Sequence, residues 1–305
     1  MSETLESMRR KIDSAAELES VVRTMKALAA ASIVQYERAV QSLDEYYRTV
    51  ELGLVAWLRH TGGAIQAPAA VARIGAAGRR AATGAVVFGS DQGLVGRFNE
   101  MLSEFTAREL NGMPGVKRVF AVGERVQGFL EDAALPATAS FDVPNSIAAI
   151  TLLVGHILSE LERQQAQGLV AQVYVFHNRP RSRTVYEPVM QRLLPLDETW
   201  RRGLATLAWP SENLPEPLNA SGMVLQALIR EYLFISLFRA CAESLASENA
   251  SRLAAMRRAE KKIGEMLEDL GHEFHRLRQS RIDEELFDVI SGFEALATVR
   301  RRRVE

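Results

Sequence analysis

The sequence contains a single cysteine, few aromatic residues and almost no net charge. With Cys241 as the one cysteine, the chain cannot form an internal disulfide, and the neighbouring Leu237, Phe238 and Leu245 predict that the thiol is buried. Aromatic residues make up 7% of the 305 residues while 47% are hydrophobic, which suits long helices better than sheet-rich cores. The 37 basic and 38 acidic residues give no support for nucleic-acid binding through bulk charge.

The sequence also lacks a long uncharged apolar segment. Residues 1 to 11 alternate charged and apolar side chains, which does not fit a signal peptide. The most apolar segment, from Met223 to Ala242, contains Arg230, Glu231 and Arg239, so no window approaches the roughly 20 uncharged apolar residues of a membrane-spanning helix. The sequence therefore predicts a cytoplasmic or peripheral protein.

Proline is absent from Ser221 to Leu296, and apolar residues recur there at steps of three and four. This pattern predicts one helix of roughly 110 Å, at 1.5 Å per residue. A helix of that length must bury its apolar face against another long helix or against partner chains. The apolar steps shift at Arg278–Arg281 and resume at Ile282. Such a stutter changes the apolar face, which predicts that the helix beyond it packs on something other than its first partner.

The N-terminal segment carries a matching pattern. From Leu5 to Trp57, apolar residues alternate at three- and four-residue steps, and only Glu19 and Lys26 interrupt them. A seam this long is typical of a coiled coil, and the helix is predicted to end near His60, before two glycines. The two terminal helices are therefore predicted to pack antiparallel on each other.

Strands and helices alternate between these two helices. The predicted elements are strands over 85–88 and 116–122, helices over 98–110 and 124–134, a helix capped by Asn145 that runs to about Ala166, and strands over 170–177 and 184–193. This alternation is typical of an α/β layer, and the short last connection predicts an antiparallel final pair. Residues 196 to 219 are rich in proline and are predicted to form a loop or an extended connector.

The predicted fold class is thus α/β combined with a long antiparallel coiled coil. The N- and C-terminal helices pair, and the central α/β domain is Rossmann-like. The predicted parts are an N-terminal coiled-coil helix (1–60), a linker (61–83), the α/β domain (84–196), a connector (197–220), a C-terminal coiled-coil helix (221–297) and a basic tail (298–305).

Two motifs resemble cofactor sites but do not have the required spacing. Gly89, Gly93 and Gly96 follow a strand and precede a helix, yet G-x-x-x-G-x-x-G is neither the dinucleotide fingerprint nor a Walker loop. We interpret them as a tight turn that needs positive φ angles. His272 and His275 form H-E-x-H, with a three-residue spacing that does not match a zinc protease, and His177 has no nearby Ser, Asp or Cys partner. The sequence predicts neither a cofactor, nor a metal site, nor an active site.

Several segments resemble the γ subunit of F-type ATP synthases. Leu245–Met256 (LASENASRLAAM) resembles the signature LASE-x-A-x-RM-x-AM, and Arg278–Leu286 (RQSRIDEEL) resembles RQ-x-x-IT-x-EL. The likeness continues at Ala29–Ser32, at Ser90–Gly96 (SDQGLVG, against TDRGLCGG) and at Leu193–Leu196. It covers nearly the whole chain in order, and the sequence resembles a divergent bacterial form.

This resemblance implies a central-stalk rotor subunit. In that family, the paired terminal helices stand inside a ring of α and β subunits, and the α/β domain rests on the membrane c-ring with the ε subunit beside it. Rotation couples flow of protons or sodium ions to ATP synthesis or hydrolysis at the β-subunit sites. The resemblance implies a non-catalytic chain without a cofactor, a nucleic-acid partner or a direct small-molecule substrate. It also implies a peripheral position at the cytoplasmic face of the bacterial cell membrane.

The same resemblance assigns partner contacts to individual residues. The residues implied to contact the β subunit are Met25, Arg252, Arg278, Gln279, Asp283 and Glu285. The residues implied to face the c-ring and ε are Trp209 and Glu212. The sequence departs from the family at Asp283, where threonine is usual, and at Glu19–Met25, where the family has the basic segment QKITKAM.

Two other functions remain open from the sequence. A coiled-coil scaffold or adaptor with an α/β head would have the same terminal helices but not the two signatures. A nucleotide-binding α/β enzyme would use the glycine loop, and tight nucleotide binding by the isolated chain would favour it.

Overall fold

The computed structural model describes residues 4–60, 82–182, 185–196, 198–211, 213 and 222–302. The predicted linker therefore lies almost entirely outside the described residues, as do Ser221, the predicted cap of the last helix, and much of the predicted connector. In chain order the elements are α1 (Leu5–His60), β1 (Ala82–Phe88), α2 (Phe98–Asn111), β2 (Lys117–Val122), α3 (Glu124–Asp132), β3 (Ala137–Phe141), α4 (Ile147–Ala166), β4 (Val170–Ser182), β5 (Val185–Leu194), α5 (Glu198–Ala205) and α6 (Gly222–Arg302).

The strands form a mixed sheet in the order β3-β2-β1-β4-β5. The first four are parallel, and β5 runs antiparallel to β4, as the short connection predicted. Every residue of β1 is buried, which is expected for a central parallel strand covered on both faces. The predicted fold class is confirmed by this sheet and the two long terminal helices.

Successive residues of β1 contribute to two separate cores. Val86 and Phe88 pack with α4, α6 and Tyr36 of α1, whereas Ala85 and Val87 pack with α2 and α3. This division follows from the strand geometry, in which neighbouring side chains point to opposite faces. The sheet is thus covered by α2 and α3 on one face, and by α4 with the long helices on the other.

The chain divides into two compact units, and both long helices contribute to both. One unit comprises residues 1–27 and 256–305, and the other comprises residues 28–255. In the first unit, Lys26 Nζ donates to both carboxylate oxygens of Glu260, at 2.7 and 2.5 Å. This ion pair between the two helices explains why a charged residue interrupts the apolar seam at Lys26. Met8 and Ala15 of the same seam are buried.

In the second unit the helix pairing is antiparallel, as predicted. Ala29 and Ile33 of α1 form a buried cluster with Ala250 and Leu253 of α6. Further along α1, the Tyr46 hydroxyl donates to Glu231 at 2.8 Å, so rising residue numbers in α1 meet falling numbers in α6. Every predicted seam residue of α1, from Leu5 to Trp57, is buried or half-buried.

Several elements differ from the sequence prediction. The Ser146 hydroxyl, and not Asn145, caps α4 by accepting the N–H of Ala149 at 3.3 Å. Strand β3 was not predicted, because its small residues form a short edge strand that is defined by pairing with β2. Helix α5 lies where a loop or connector was predicted, and it is held by Leu204, which packs into a core with Val50, Leu54 and other residues of the two long helices.

The last helix is longer than predicted. Helix α6 continues to Arg302, so residues 298 to 302 are helical although the sequence predicted a basic tail beyond Leu296. None of the described helices contains a stretch apolar enough to span a membrane.

Candidate partner-contact surfaces

The C-terminal part of α6 exposes apolar side chains. All residues from Arg278 to Ser291 are exposed, whereas Phe274 and Leu277 just before them are half-buried. The large apolar residues in this segment, with their exposed fractions, are Ile282 (53%), Leu286 (57%), Phe287 (68%), Val289 (58%) and Ile290 (46%). Burial ends at the predicted stutter, and a contiguous exposed apolar surface of this kind is typical of an interaction site.

Four of the predicted contact residues lie on this segment. Arg278, Gln279, Asp283 and Glu285 are all exposed, and Glu285 lies 3.5 Å from the guanidinium of Arg281. Met25 is half-buried on α1, next to the Lys26 to Glu260 ion pair, so it belongs to a different part of the same unit. The structure therefore brings four of the six residues together on one exposed helical segment.

Arg252, the sixth residue, is directed into the protein. Its side chain is only 13% exposed, and its guanidinium donates to the carboxylate of Glu248 one turn earlier. Burial raises the pKa of Glu248, while the positive charge and hydrogen bond of Arg252 oppose that rise. A partner could therefore reach only a small part of this guanidinium, and its main visible contact is within the chain.

Of the two residues predicted to face the c-ring and ε, Trp209 lies within the described part of the chain and Glu212 does not. Trp209 is half-buried against the core around Leu54, and its indole N–H lies within hydrogen-bonding distance of the Asn213 carbonyl and the Ser211 hydroxyl, at 3.0 and 3.2 Å. Glu212 lies outside the described residues. Trp209 thus orders a short loop after α5 and retains a partly accessible ring.

The signature LASENASRLAAM overlaps a segment of α6 that is buried on all sides. Residues 240 to 251 are all buried, because the sheet edge and α1 both pack against them. Ser244 donates to the Phe88 carbonyl at 2.8 Å, Ser247 to the Asn178 carbonyl at 2.9 Å, and Ser251 to the Val95 carbonyl. Each such bond contributes about 0.5–1.5 kcal/mol to stability. The serines of this segment therefore attach the long helix to the end of β1, to β4 and to the glycine loop after β1.

Asp91, within the glycine loop after β1, binds backbone groups of the chain itself. Asp91 accepts the N–H of Glu124, at the first residue of α3, and the N–H of Val143, both at 2.9 Å. These bonds fix the loop on α3, whereas a phosphate held by a glycine loop would lie at the N terminus of the helix that follows the loop, which is α2. The crevice at the carboxyl ends of β1 and β4, where open α/β sheets bind ligands, is occupied by Ser244 and Ser247. The position of Ser244 and Ser247 argues against the nucleotide-binding alternative.

The reason for the glycines differs from the prediction. Gly96 has a positive φ of 58°, as predicted, but Gly89 and Gly93 do not have positive φ angles. At Gly89 an added Cβ would lie 2.2 Å from the Cβ of Val126, so close packing of α3 demands the glycine. Leu94, between the glycines, adopts the left-handed conformation instead, with φ of 63°.

A group of polar and charged side chains around the buried Glu243 joins the sheet to both long helices. Glu243 of α6 lies 2.8 Å from His177 Nε2 of β4, and it accepts hydrogen bonds from Arg179 at 3.2 Å and from Arg239 at 2.9 Å. Arg239 also lies 3.1 Å from Asp44 of α1. We call these five residues the Glu243 cluster.

The charges in the Glu243 cluster follow from its environment. Burial lowers the pKa of His177, so its imidazole is neutral near pH 7 and donates its Nε2–H to Glu243. Burial by itself would raise the pKa of Glu243, but the hydrogen bonds from His177 and Arg239 and the charge of Arg179 lower it to about 2. Glu243 is therefore an ionised carboxylate with three donors.

Sequence reasoning did not find the Glu243 cluster. His177 has no partner nearby in the sequence, since its partner lies 66 residues away. One local signal was present, because Arg239 and Glu243 are four residues apart, a spacing that places them on one helix face. In contrast, Cys241 is buried as predicted, and burial raises the pKa of its thiol.

Comparison with known proteins gives a consistent result over most of the chain. The family model described as ATP synthase matches residues 4–296. The chain is 27% identical to the ATP synthase gamma chain of Moorella thermoacetica over 296 residues, which cover 96% of this chain and 99% of the relative. It is 28% identical to the ATP synthase gamma chain of Sorangium cellulosum, with the same coverage of 96% and 99%.

Solved structures share the fold at low sequence identity. A chain of the rotor of the Euglena gracilis mitochondrial ATP synthase in rotational state 1 matches with a TM-score of 0.60 and 14% identity, over 91% of this chain and 98% of that chain. A chain of the OSCP/F1/c-ring assembly of the same enzyme in rotational state 3 matches with a TM-score of 0.64 and 15% identity, over 96% of this chain and 94% of that chain.

Proposed function

The chain belongs to the ATP synthase gamma-chain family, and on that basis we propose that it is the central-stalk rotor subunit of an F-type ATP synthase. In this role it couples ion flow through the membrane c-ring to ATP synthesis or hydrolysis by rotating inside the ring of α and β subunits. Its partners are the α and β subunits, the ε subunit and the c-ring. A surrounding ring can respond to rotation because different faces of the helices make different contacts with each β subunit.

The proposal includes a non-catalytic role and a position on the membrane. The chain carries no part of the nucleotide chemistry, which takes place on the β subunits. Ser244 and Ser247 of α6 support this assignment, because they bind the Phe88 and Asn178 carbonyls at the edge of the sheet where open α/β domains hold ligands. The chain would act as a peripheral protein at the cytoplasmic face of the bacterial membrane, with residues 84–196 as the α/β domain towards the c-ring and ε.

The observation that carries the proposal is the exposed apolar segment of α6. Leu286, Phe287 and Val289 are more than half exposed although they lie in a continuous helix. Such side chains favour association, since burying a large apolar side chain contributes about 1.5–3 kcal/mol. A surrounding ring of partner subunits would cover several faces of this helix at once.

We assign the β-subunit contacts to the exposed side chains of the same segment. Arg278, Gln279, Asp283 and Glu285 would form polar contacts around the apolar residues, a combination common at interfaces. Met25 would add a contact from α1. Arg252 would contribute through its small exposed fraction, and Trp209 with Glu212 would face the c-ring and ε.

A cross-link at Gln279 tests the rotor assignment. The Gln279→Cys variant would be combined with cognate α and β subunits, one β carrying a cysteine in the loop that faces position 279. Because Cys241 is the one native cysteine and is buried, the new thiol is the reactive one in this chain. We expect oxidation to stop ATP hydrolysis and reduction to restore it, as measured in the same sample.

The controls separate immobilisation from damage. The Gln279→Cys assembly with cysteine-free β should hydrolyse ATP equally well before and after oxidation. If the cross-linked assembly hydrolyses ATP at the rate of the reduced one, this chain does not need to rotate within the ring and the proposal is wrong.

A further inference from the structure

We propose that Glu243 is a positioning residue that keeps the α/β domain and the two long helices in fixed register while force passes between them. This inference rests on the proposed rotor function. Contacts between the sheet and the long helices are one route by which force applied to the α/β domain by the c-ring can reach α6 and α1, and Glu243 is the centre of a group of charged contacts there.

The contacts of Glu243 join three elements. Its Oε2 atom faces His177 Nε2 and Arg179 Nε of β4, at 2.8 and 3.2 Å, and its Oε1 atom accepts from Arg239 Nε at 2.9 Å. Arg239 extends the network to Asp44 of α1 at 3.1 Å. One carboxylate therefore links the sheet with α6 directly, and with α1 through a single arginine.

The cluster is electrically balanced and closed at its centre. Two carboxylates, Glu243 and Asp44, face two guanidinium groups, Arg179 and Arg239, and His177 is neutral. The side chains of His177 and Glu243 are 1% and 8% exposed, whereas Arg179 is 48% exposed. If the contact is lost, water can therefore hydrogen-bond to the half-exposed Arg179 guanidinium. Water cannot replace the donors of the buried Glu243 carboxylate.

Because its centre is buried, the Glu243 cluster can oppose sliding of α6 along the sheet, which apolar packing does not oppose strongly. Apolar contact is non-directional, so a helix that slides along a sheet by a fraction of an ångström keeps most of its buried area. Hydrogen bonds weaken steeply when donor and acceptor move out of line, and a buried charge that loses its donors is strongly unfavourable. The Glu243 cluster therefore resists sliding between β4 and α6.

A coupling measurement tests this role in the complete assembly. The Glu243→Gln variant keeps the side-chain volume and removes the charge. Reconstituted into vesicles with its cognate partners, it should hydrolyse ATP at a rate within twofold of the wild type. We expect the number of ions pumped per ATP to fall at least twofold when an opposing ion gradient is applied, and to fall less without the gradient. A defect in assembly alone would lower hydrolysis and pumping in proportion.

A matched control uses an exposed ion pair in the same domain. Arg230 of α6 lies 3.2 Å from Glu162 of α4, and their side chains are 62% and 51% exposed. Because exposed pairs contribute little, the Arg230→Gln variant should keep the wild-type number of ions per ATP at every gradient.

A second variant decides the outcome if the Glu243 variant does not assemble. Arg179→Gln removes one half-exposed donor of Glu243 and leaves the other two, so it should fold and show a smaller loss of ions per ATP in the same direction. The inference is wrong if the assembled variants pump the wild-type number of ions per ATP at every gradient. Failure of the wild-type chain to support ATP-driven pumping would instead contradict the proposed function.

Discussion

At the scale of single residues, Gly89 shows how close packing sets a sequence requirement. It follows the last residue of β1, where Val126 of α3 and Asn99 of α2 approach the backbone. Asn99 also holds the loop, because its side-chain oxygen accepts the N–H of Ser90 at 3.0 Å. A side chain at position 89 would have to displace α3 from the sheet.

Alanine at two glycine positions separates packing from helix propensity. We expect Gly89→Ala to lower the free energy of unfolding by about 1–3 kcal/mol, because its Cβ would lie 2.2 Å from Val126. Gly128→Ala, in the interior of α3 with no atom within 4 Å of its Cβ, should raise it by about 0.5–1 kcal/mol. Urea unfolding of the isolated chain measures both, and equal effects would contradict the packing explanation.

The Glu243 cluster predicts a loss of stability at acidic pH. The folded-state pKa of His177 lies below its ordinary value of 6.5, so the stability that depends on neutral His177 is present above about pH 6.5 and is lost as the pH falls below it. The pKa of Glu243, about 2 against an ordinary 4.5, adds a loss between about pH 4.5 and pH 2. Between pH 7 and pH 5, the loss of stability that this pair contributes therefore comes from protonation of His177.

The His177→Gln variant isolates this effect. Glutamine can still donate an N–H to Glu243, but it does not titrate. We expect the decrease in melting temperature from pH 7 to pH 5 to be smaller in the variant than in the wild type, as thermal unfolding at several pH values would show. A variant with the same pH slope as the wild type would mean that His177 is not held neutral by burial.

The environment of a side chain could be predicted from the sequence only where the residues that surround it lie nearby in the chain. The burial of Cys241 was predictable, because its helical neighbours are apolar. The pairing of His177 with Glu243 was not, since a contact between residues 66 positions apart depends on where β4 and α6 lie in the fold. The exposure of Gln279 was consistent with its assignment, whereas the inward direction of Arg252 required the structure.

At the scale of elements, periodicity predicted the long helices better than their ends. The seam of α1 is buried or half-buried as predicted, because a heptad repeat fixes which face meets a partner helix. The start of α4 was placed one residue too early. Asn145 and Ser146 are both good cap residues, and only backbone geometry shows that Ser146 has the extended conformation of a cap.

Substitutions at the two possible cap positions test this assignment. We expect Ser146→Ala to lower the free energy of unfolding by about 1 kcal/mol, because the N–H of Ala149 loses its acceptor. Asn145→Ala should change it by less than half as much, since Asn145 is exposed and is not the cap. Denaturant unfolding of the two variants measures the difference, and a larger effect at Asn145 would restore the original prediction.

At the scale of the whole molecule, the continuous run of exposed apolar residues described above lies in one of the two compact units. The unit of residues 28–255 contains the sheet and its buried cores. In the unit of residues 1–27 and 256–305, the described side chains from Arg278 onward are all exposed. Apolar residues there contribute little to the stability of the isolated chain and remain available for partners.

Two leucines of α6 should therefore respond differently to the same substitution. We expect Leu286→Ser, at a side chain that is 57% exposed, to change the free energy of unfolding of the isolated chain by less than about 0.5 kcal/mol. It should weaken association with the α and β subunits by roughly 1–2 kcal/mol. Leu253→Ser, within the buried cluster of Ala29, Ile33 and Ala250, should destabilise the chain by about 2–5 kcal/mol.

Denaturant unfolding of the isolated chain and its association with the α and β subunits would be measured for both leucine variants. If Leu286→Ser associates as tightly as the wild type, the exposed segment is not the contact surface. If it instead destabilises the isolated chain, the segment packs within the chain.

The sequence by itself determined the α/β order, the antiparallel pairing of the terminal helices and the family. These features arise from apolar periodicity and local signatures, which each segment carries whatever its neighbours are. Only the tertiary structure decided that Ser244, Ser247 and Ser251 attach α6 to the sheet and the glycine loop, that Asp91 ties this loop to α3 and that Glu243 joins three elements. Such contacts join residues far apart in the chain, and their geometry exists only once the sheet and helices have packed.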